Sequence, residues 1–298
     1  MVSSMALIFA DDIFLLSASR NGLQAMINLC HDFVAARNLK FGTHEDPKKS
    51  KTKCIVFTKK KLKFQPMNVT LNGNQLPWVT QVKHLGHMLQ SDSSMKIDIA
   101  QKRGGFVGKI NSMLQEFHCV SPEIFIKLMN TYATSIYGSN TWDIFSPECE
   151  RLYKSYNVTI RNALKVDRCT HKYMLEPLSE SVHLRTMLAS RYTTFHSTLV
   201  QCKKFPVRFL ARICEEDMRT TLGRTLSRIK SECEVDSLTE LNPAVIKKKM
   251  RYSVAPIESE WKVEMATELL QIRDGDEITI PNFTSNERTE ILKHICTD

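Results

Sequence analysis

Met5-Ala6-Leu7-Ile8-Phe9-Ala10-Asp11-Asp12-Ile13-Phe14-Leu15-Leu16 is an apolar run broken by two adjacent acids. A carboxylate drawn into apolar surroundings costs several kcal/mol unless it is paired or holds a metal. The simplest arrangement is strand, tight turn, strand, with Asp11 and Asp12 kept solvated at the tip. Aspartate also suits ordinary turns, and a dipeptide is a weak motif. What the pair means therefore depends on the chain around it.

Downstream, Leu23, Met26, Ile27, Cys30, Phe33 and Val34 recur at helical spacing, predicting an amphipathic helix from about Arg20 to Asn38. Ser19 or Asn21 would cap it, the latter with Gln24 at capping-box spacing. Next comes a polar stretch, then a strand-like run from Cys54 to Thr58. Between Lys40 and Lys63 stand nine lysines against two acids. Such a run is ordinarily a solvated face. Beside an acidic hairpin it also suits phosphate, since lysines neutralise a phosphate backbone without reading bases. The candidates are Lys48, Lys49, Lys51, Lys53, Lys59, Lys60 and Lys61. Val69 to Leu76 reads as a hairpin on Asn72-Gly73. Val79 to Leu89 reads as strand, with Gly86 marking a bulge or a close backbone approach.

From Ser91 the pattern turns helical. A helix is expected from Met95 to Phe117, interrupted near Gly104-Gly105. Ser121-Pro122-Glu123 and Ser146-Pro147-Glu148 each place a capping serine before a proline at the first helical position. The second helix shows Cys149, Leu152, Tyr153, Tyr156 and Ile160 on one face. Further helices are expected over Val182–Cys202, Pro206–Met218 and Arg219–Cys233. Beyond lie a basic stretch, Lys247-Lys248-Lys249-Met250-Arg251, a turn at Asp274-Gly275-Asp276, a short strand at Ile278–Ile280 and a helix over Glu287–Cys296. Trp78, Trp142 and Trp261 read as core anchors rather than base-stacking platforms.

The 298 residues carry a net charge of +9, which favours polyanionic partners, nucleic acid before an anionic membrane surface. No apolar run reaches the ~18–20 residues of a membrane helix, and the start lacks the basic n-region of a signal peptide. Nine cysteines without a C-x-x-C pair read as reduced thiols, giving an intracellular expectation, nucleus or cytoplasm. Cys169-Thr170-His171 and His84-Leu85-Gly86-His87 have metal-like spacing, but neither has a matching second pair for zinc.

Taken in order, these elements resemble the C-terminal part of a reverse transcriptase from a non-LTR, LINE-type retrotransposon. Phe9-Ala10-Asp11-Asp12 is similar to the family's aromatic-x-Asp-Asp motif, with Phe for the usual Tyr. The helix, the Asn38-Leu39-Lys40-Phe41 turn, the lysines at 48–53 and the Cys54–Thr58 strand are similar to the segment that follows it. Leu71-Asn72-Gly73 and Val82-Lys83-His84-Leu85-Gly86 resemble the stretch before the thumb, with His84 at the aromatic position of aromatic-Leu-Gly. The resemblance covers residues 5–90 well and the rest loosely. It implies an α+β fold: a partial palm over 1–92, a helical thumb and connection region over 93–235, and a C-terminal helical or irregular segment over 236–298.

The resemblance further implies a nucleotidyltransferase acting on an RNA template and a DNA primer. In that chemistry two divalent ions, ~3.5–4 Å apart, activate the primer hydroxyl and stabilise the leaving pyrophosphate. Mg²⁺ takes carboxylate and water oxygens. Asp11 would be the ligand and catalytic residue, with Asp12 beside it, Phe9 packed beneath the hairpin, and one of the lysines near the triphosphate. The family also uses an Asp from an earlier strand and a fingers subdomain, which these residues do not include. Alone, the chain is expected not to polymerise DNA, as a truncated or degenerate copy. The alternative is a non-catalytic, basic nucleic-acid-binding or interaction protein derived from such an element. A phosphotransfer receiver would need a parallel βαβ pattern after the acids, which is absent.

Overall fold

Strands Ser4–Phe9 (β1) and Asp12–Ser17 (β2) pair antiparallel, with Ile8 opposite Ile13 and Phe9 opposite Asp12. That register leaves Ala10 and Asp11 as a two-residue loop, with Ala10 in the left-handed region at φ 48°. The coordinates are a computed structural model, and it describes residues 4–44, 46, 49–58 and 68–250. The chain divides into two compact units, Met1–Met95 and Lys96–Asp298. Its architecture is α+β, with short two-stranded sheets in the first unit and helices in the described part of the second.

In the first unit helix α1 spans Arg20–Ala35, and the Ser19 hydroxyl caps it by accepting from the Gly22 amide. Gln24 does not form a capping box. Its side-chain amide donates to the Thr70 carbonyl at 2.8 Å while its oxygen accepts from the Thr70 amide at 2.9 Å. Arg20 adds a bond from Nη2 to the Asn68 carbonyl at 2.6 Å. These bonds tie α1 to strand Thr70–Leu71 (β4), which pairs with Asn74–Gln75 (β5) across Asn72-Gly73. Both turn residues have positive φ, 50° and 74°, the requirement of a tight hairpin of this type.

The expected strand at Cys54–Thr58 is shorter: Cys54–Ile55 (β3) pairs parallel with Trp78–Val79 (β6). Gln81–His84 (β7) and His87–Gln90 (β8) form another hairpin. Gly86 is thus not a bulge within a strand. Leu85 and Gly86 are the two central turn residues, at φ 44° and 78°. Leu85 is a bulky side chain in the left-handed region, a conformation that costs of order 1 kcal/mol and that surrounding structure must enforce.

The core of this unit is Ile27, Cys54, Val69, Leu71 and Leu76, with Leu15, Leu23, Phe41 and Trp78 packed against it. Phe33 departs from the helical-stripe reading. It is 59% exposed, with the Arg37 guanidinium 3.5 Å from its ring centroid.

In the second unit Lys96–Glu116 (α2) is one uninterrupted helix. Gly104 and Gly105 do not break it, because glycine weakens a helix by about 1 kcal/mol relative to alanine without removing any hydrogen bond. Pro122–Leu128 (α3) continues into a π turn, Met129–Ala133. Pro147–Leu164 (α4) is capped by Ser146, whose hydroxyl accepts from the Cys149 amide. Its face of Cys149, Leu152, Tyr153, Tyr156 and Ile160 is buried.

Lys172–Ser179 (α5), with Pro177 inside it, was not foreseen in the sequence. Leu184–Val200 (α6), Phe205–Glu216 (α7), Thr221–Glu232 (α8) and Pro243–Lys249 (α9) follow among the described residues. Helix α4 packs on α2, α5 and α6, and α6 also carries α7 and α9. Trp142, fully buried, donates from Nε1 to Asp98 Oδ2 at 2.9 Å. Among the described residues no helix is long and apolar enough to cross a membrane. The readings at 251, 261, 274–276, 278–280 and 287–296 lie outside the described residues.

Candidate functional site

Asp11 and Asp12 are both exposed, Asp11 in the loop and Asp12 as the first residue of β2. A cleft of about 500 Å³ opens beside them. Its apolar lining includes Ile13, Leu15, Ile27, Ile55, Leu71 and Val82, and its charged lining is Asp11, Asp12, Lys40, Lys51, Lys53 and Lys83. Two acidic residues and four lysines therefore line one concavity. Among the described residues no ion pair joins these six groups to one another.

The local sequence explains the placement of each lysine. Lys51 and Lys53 alternate with Thr52 and Cys54, the period of an extended chain. Cys54 enters the core while both lysines stay exposed. A clip fixes this segment: the Thr52 amide and hydroxyl both donate to the Gly42 carbonyl, at 3.1 and 3.2 Å. The Ser50 hydroxyl, buried, donates to the Thr52 carbonyl at 2.8 Å. Gly42 lies so close to Lys51 that a Cβ there would meet the Lys51 side chain at 3.2 Å. Lys40 enters after Asn38, which turns the end of α1 at φ 56°. Lys83 comes from β7, and the neighbouring His84 ring stacks on Phe14 with centroids 5.0 Å apart.

The cleft thus gathers Asp11, Asp12, Lys51 and Lys53 from the sequence candidates. Lys49 is exposed but does not line it, and Lys48, Lys59, Lys60 and Lys61 lie outside the described residues. Phe9 does not pack beneath the hairpin. It is 67% exposed, and its neighbour Ile8, on the other face of the hairpin, is 71% exposed, so the loop end of β1 extends past this unit's core on both faces. Ala10 supplies the left-handed loop position, and Leu85-Gly86 makes the turn beyond His84 rather than lining the cleft. Lys40 and Lys83 were not singled out from sequence. Lys40 stands within the Asn38–Phe41 turn and Lys83 beside His84, but only the folded chain brings them to Asp11.

Chemically, the acid pair offers oxygen ligands and the lysines offer countercharge for phosphate. Mg²⁺ is characteristically held by one or two carboxylates, with waters and substrate phosphates completing its shell. Two exposed aspartates facing a lysine-lined cleft fit that donor set. Among the described residues no group of three or more His, Cys, Asp or Glu side chains is placed to hold a metal, so the protein's own share of such a site is the pair itself. The eight described cysteines are free thiols. Burial pushes Cys54 up to about 11 and Cys149 up to about 12, so neither is a nucleophile at neutral pH.

A second concavity lies in the other unit. A groove of about 360 Å³ between α2 and α4 is lined by Arg103, Arg151 and Lys154 around Val107, Leu114 and Val158. It holds cations and no acid. No protein-family model matches this chain, and no curated protein matches it.

Proposed function

We propose that the first unit is a partial polymerase palm of the LINE-type reverse-transcriptase kind, and that the acid–lysine cleft is where a nucleoside triphosphate and its Mg²⁺ meet the protein. The observation that carries the reading is the convergence of Asp11 and Asp12 with Lys40, Lys51, Lys53 and Lys83 on one cleft. A catalytic use of the pair accounts for two adjacent carboxylates inside an apolar hairpin. It also accounts for Ala10 in the left-handed region, a strained position in the loop that carries Asp11.

In this reading Asp11 and Asp12 orient the cation, and Lys51 and Lys53 compensate the phosphate charge. When bound, Mg²⁺ would supply charge neutralisation at the phosphates and lower the pKa of the primer hydroxyl. The helical unit then stands as thumb and connection region. The described residues bring only two carboxylates to the cleft, and the family's palm uses a further one. The chain alone is therefore expected to bind Mg²⁺–dNTP without extending a primer.

Titration of dNTP with and without Mg²⁺ tests this. Binding should require the metal, and Asp11→Asn or Lys51→Ala should each weaken it about tenfold, ~1.4 kcal/mol. Metal-independent binding, or binding indifferent to Asp11, sinks the cleft assignment. Primer extension on an RNA template with Mg²⁺ or Mn²⁺ tests the inactivity, and Asp11-dependent incorporation overturns it.

The acid-free groove of Arg103, Arg151 and Lys154 supports a second reading, a non-catalytic protein that holds nucleic-acid backbone. That reading expects salt-dependent RNA or DNA binding with no metal requirement.

A further inference from the structure

The groove between α2 and α4 combines exposed apolar side chains with cations that lack a counter-ion. Val107, Leu114 and Val158 are 41%, 42% and 53% exposed around the buried Ile110. Arg103, Arg151 and Lys154 are exposed beside them and make no ion pair among the described residues. The neighbouring charges of the two helices do not reverse the sign. Lys96 falls in line with Arg103 at 100° per residue, and Lys165 follows the end of α4. Glu116, near the end of α2, falls about 140° from Arg103. Glu148 and Glu150 in the first turn of α4 are half-buried, line no part of the groove and pair with none of its cations. An apolar strip edged by cations fits the apolar face of an acidic amphipathic helix.

The same chain carries such a sequence. Between 258 and 277, outside the described residues, seven acids stand against Lys262 and Arg273, in a protein whose net charge is +9. Trp261, Met265, Leu269 and Ile272 recur there at helical spacing. At 100° per residue Glu260, Glu264 and Glu268 fall along one flank of that stripe, and Lys262 and Arg273 along the other. Trp261 to Ile272 is eleven residue steps, about 16 Å as a helix. The lengths of α2 and α4 that line the groove, Arg103 to Leu114 and Arg151 to Asn162, are eleven steps each.

The connection is long enough. The Met250 carbonyl accepts from the Thr186 hydroxyl at 2.7 Å, which places the end of the described chain on α6, and α6 packs on α4. Ten residues separate Met250 from Trp261. Extended, they reach about 35 Å, some three times the diameter of a helix with its side chains.

We propose that residues 258–273 are the occupant of this groove. They seat as an amphipathic helix, with the Trp261–Ile272 stripe over Val107, Leu114 and Val158 and the Glu260–Glu268 flank toward the groove's cations. The seated segment closes the groove to other polyanions, an autoinhibitory contact within one chain.

Hydrogen exchange on the full chain, read segment by segment by mass spectrometry, tests this. In wild-type protein the amides of 261–272 should exchange at least ~10-fold slower than an unstructured chain, equally at about 1 and about 50 μM protein. Val158→Asp, at an exposed position, should remove that protection while α4 and α6 keep theirs. Arg151→Glu with Lys154→Glu should remove it as well, and adding Glu260→Lys with Glu264→Lys should restore it. Unprotected amides in the wild type, protection indifferent to Val158→Asp, or a charge reversal without rescue each overturns the proposal. So does protection that grows with concentration, which would assign the groove to the segment of a second copy.

Discussion

The two units bury their apolar side chains in different ways. In the first, the buried set is Ile27, Cys54, Val69, Leu71 and Leu76, a single cluster under short strands. In the second, α2 through α9 each place at least one apolar residue in the interior, and Trp142, Tyr153, Tyr156 and Tyr192 are almost wholly enclosed. Strand β1 illustrates the contrast. Leu7, Ile8 and Phe9 are 51%, 71% and 67% exposed, and among the described residues their only sheet partner is β2. A lone two-stranded hairpin is marginal in water. The acid pair therefore sits on a hairpin held to the unit through β2, which packs on α1, while β1 stays exposed. Its placement depends on the five-residue cluster, on Gln24 and Arg20 clipped to 68–70, and on the Gly42–Thr52 clip.

The sharpest way to break this contrast is to empty each core by one side chain. Trp142→Ala should cost about 4 kcal/mol in denaturant unfolding, from the lost volume and the lost indole donor to Asp98. Leu76→Ala should cost about 3 kcal/mol, yet in a cluster so small it should also abolish Mg²⁺–dNTP binding at the cleft. Equal loss of cleft binding from Trp142→Ala would show that the units do not divide the work as described.

How much of this was legible in the sequence follows the range of the forces involved. Features set by a few neighbouring residues could be read directly. The hairpin around the acid pair, the Asn72-Gly73 hairpin, the Ser146 cap and the buried stripe of α4 all depend on local geometry and period, though the two-residue loop falls on Ala10-Asp11, one place before the acid pair. Features decided by distant partners could not. The Asn21-to-Gln24 spacing suggests a capping box, but Thr70, far along the chain, claims the Gln24 side chain. Phe33 belongs to the apolar stripe of α1 but extends beyond the part the small cluster covers. Helix α5 was hidden by Pro177. Four lysines of the cleft come from three separate segments, and no linear pattern unites Lys40, Lys51 and Lys83.

The deeper core also accommodates a buried histidine, which gives a medium-sized effect. His183 caps α6: its Nδ1 accepts from the Arg185 amide at 3.1 Å. Its Nε2 therefore carries the proton and donates to Asn157 Oδ1 at 2.9 Å. Protonating Nδ1 would break the cap. Burial, with Arg185 and Lys172 nearby, lowers its pKa to about 3. The unfolded chain takes up this proton below about pH 6.5 while the folded chain does not. Stability is then complete above pH 6.5 and is lost as the pH falls from 6.5 toward 3. Between pH 7 and pH 5 the loss attributable to His183 should be about 2 kcal/mol. Urea titrations at the two pH values check it, and His183→Gln should flatten the difference by that amount.

The smallest effects concern glycines of the second unit and test why α2 is continuous. A Cβ on Gly104 or Gly105 would meet nothing within 4 Å. Neither glycine is needed for a kink, so the chain carries their conformational entropy without a geometric return. Gly104→Ala and Gly105→Ala should each stabilise by about 0.5–1 kcal/mol. Gly223 in α8 is the opposite case, since a Cβ there would stand 2.5 Å from the Asp217 carbonyl oxygen and 2.7 Å from that of Cys214. Both acceptors are backbone and cannot swing away. The Thr220 hydroxyl donates to the same two carbonyls while accepting from the Gly223 amide at 2.9 Å. Gly223→Ala should therefore destabilise where the α2 substitutions stabilise. If all three alanines acted in the same direction, helix propensity alone would govern these sites and the close approach of α7's end to α8 would carry no weight.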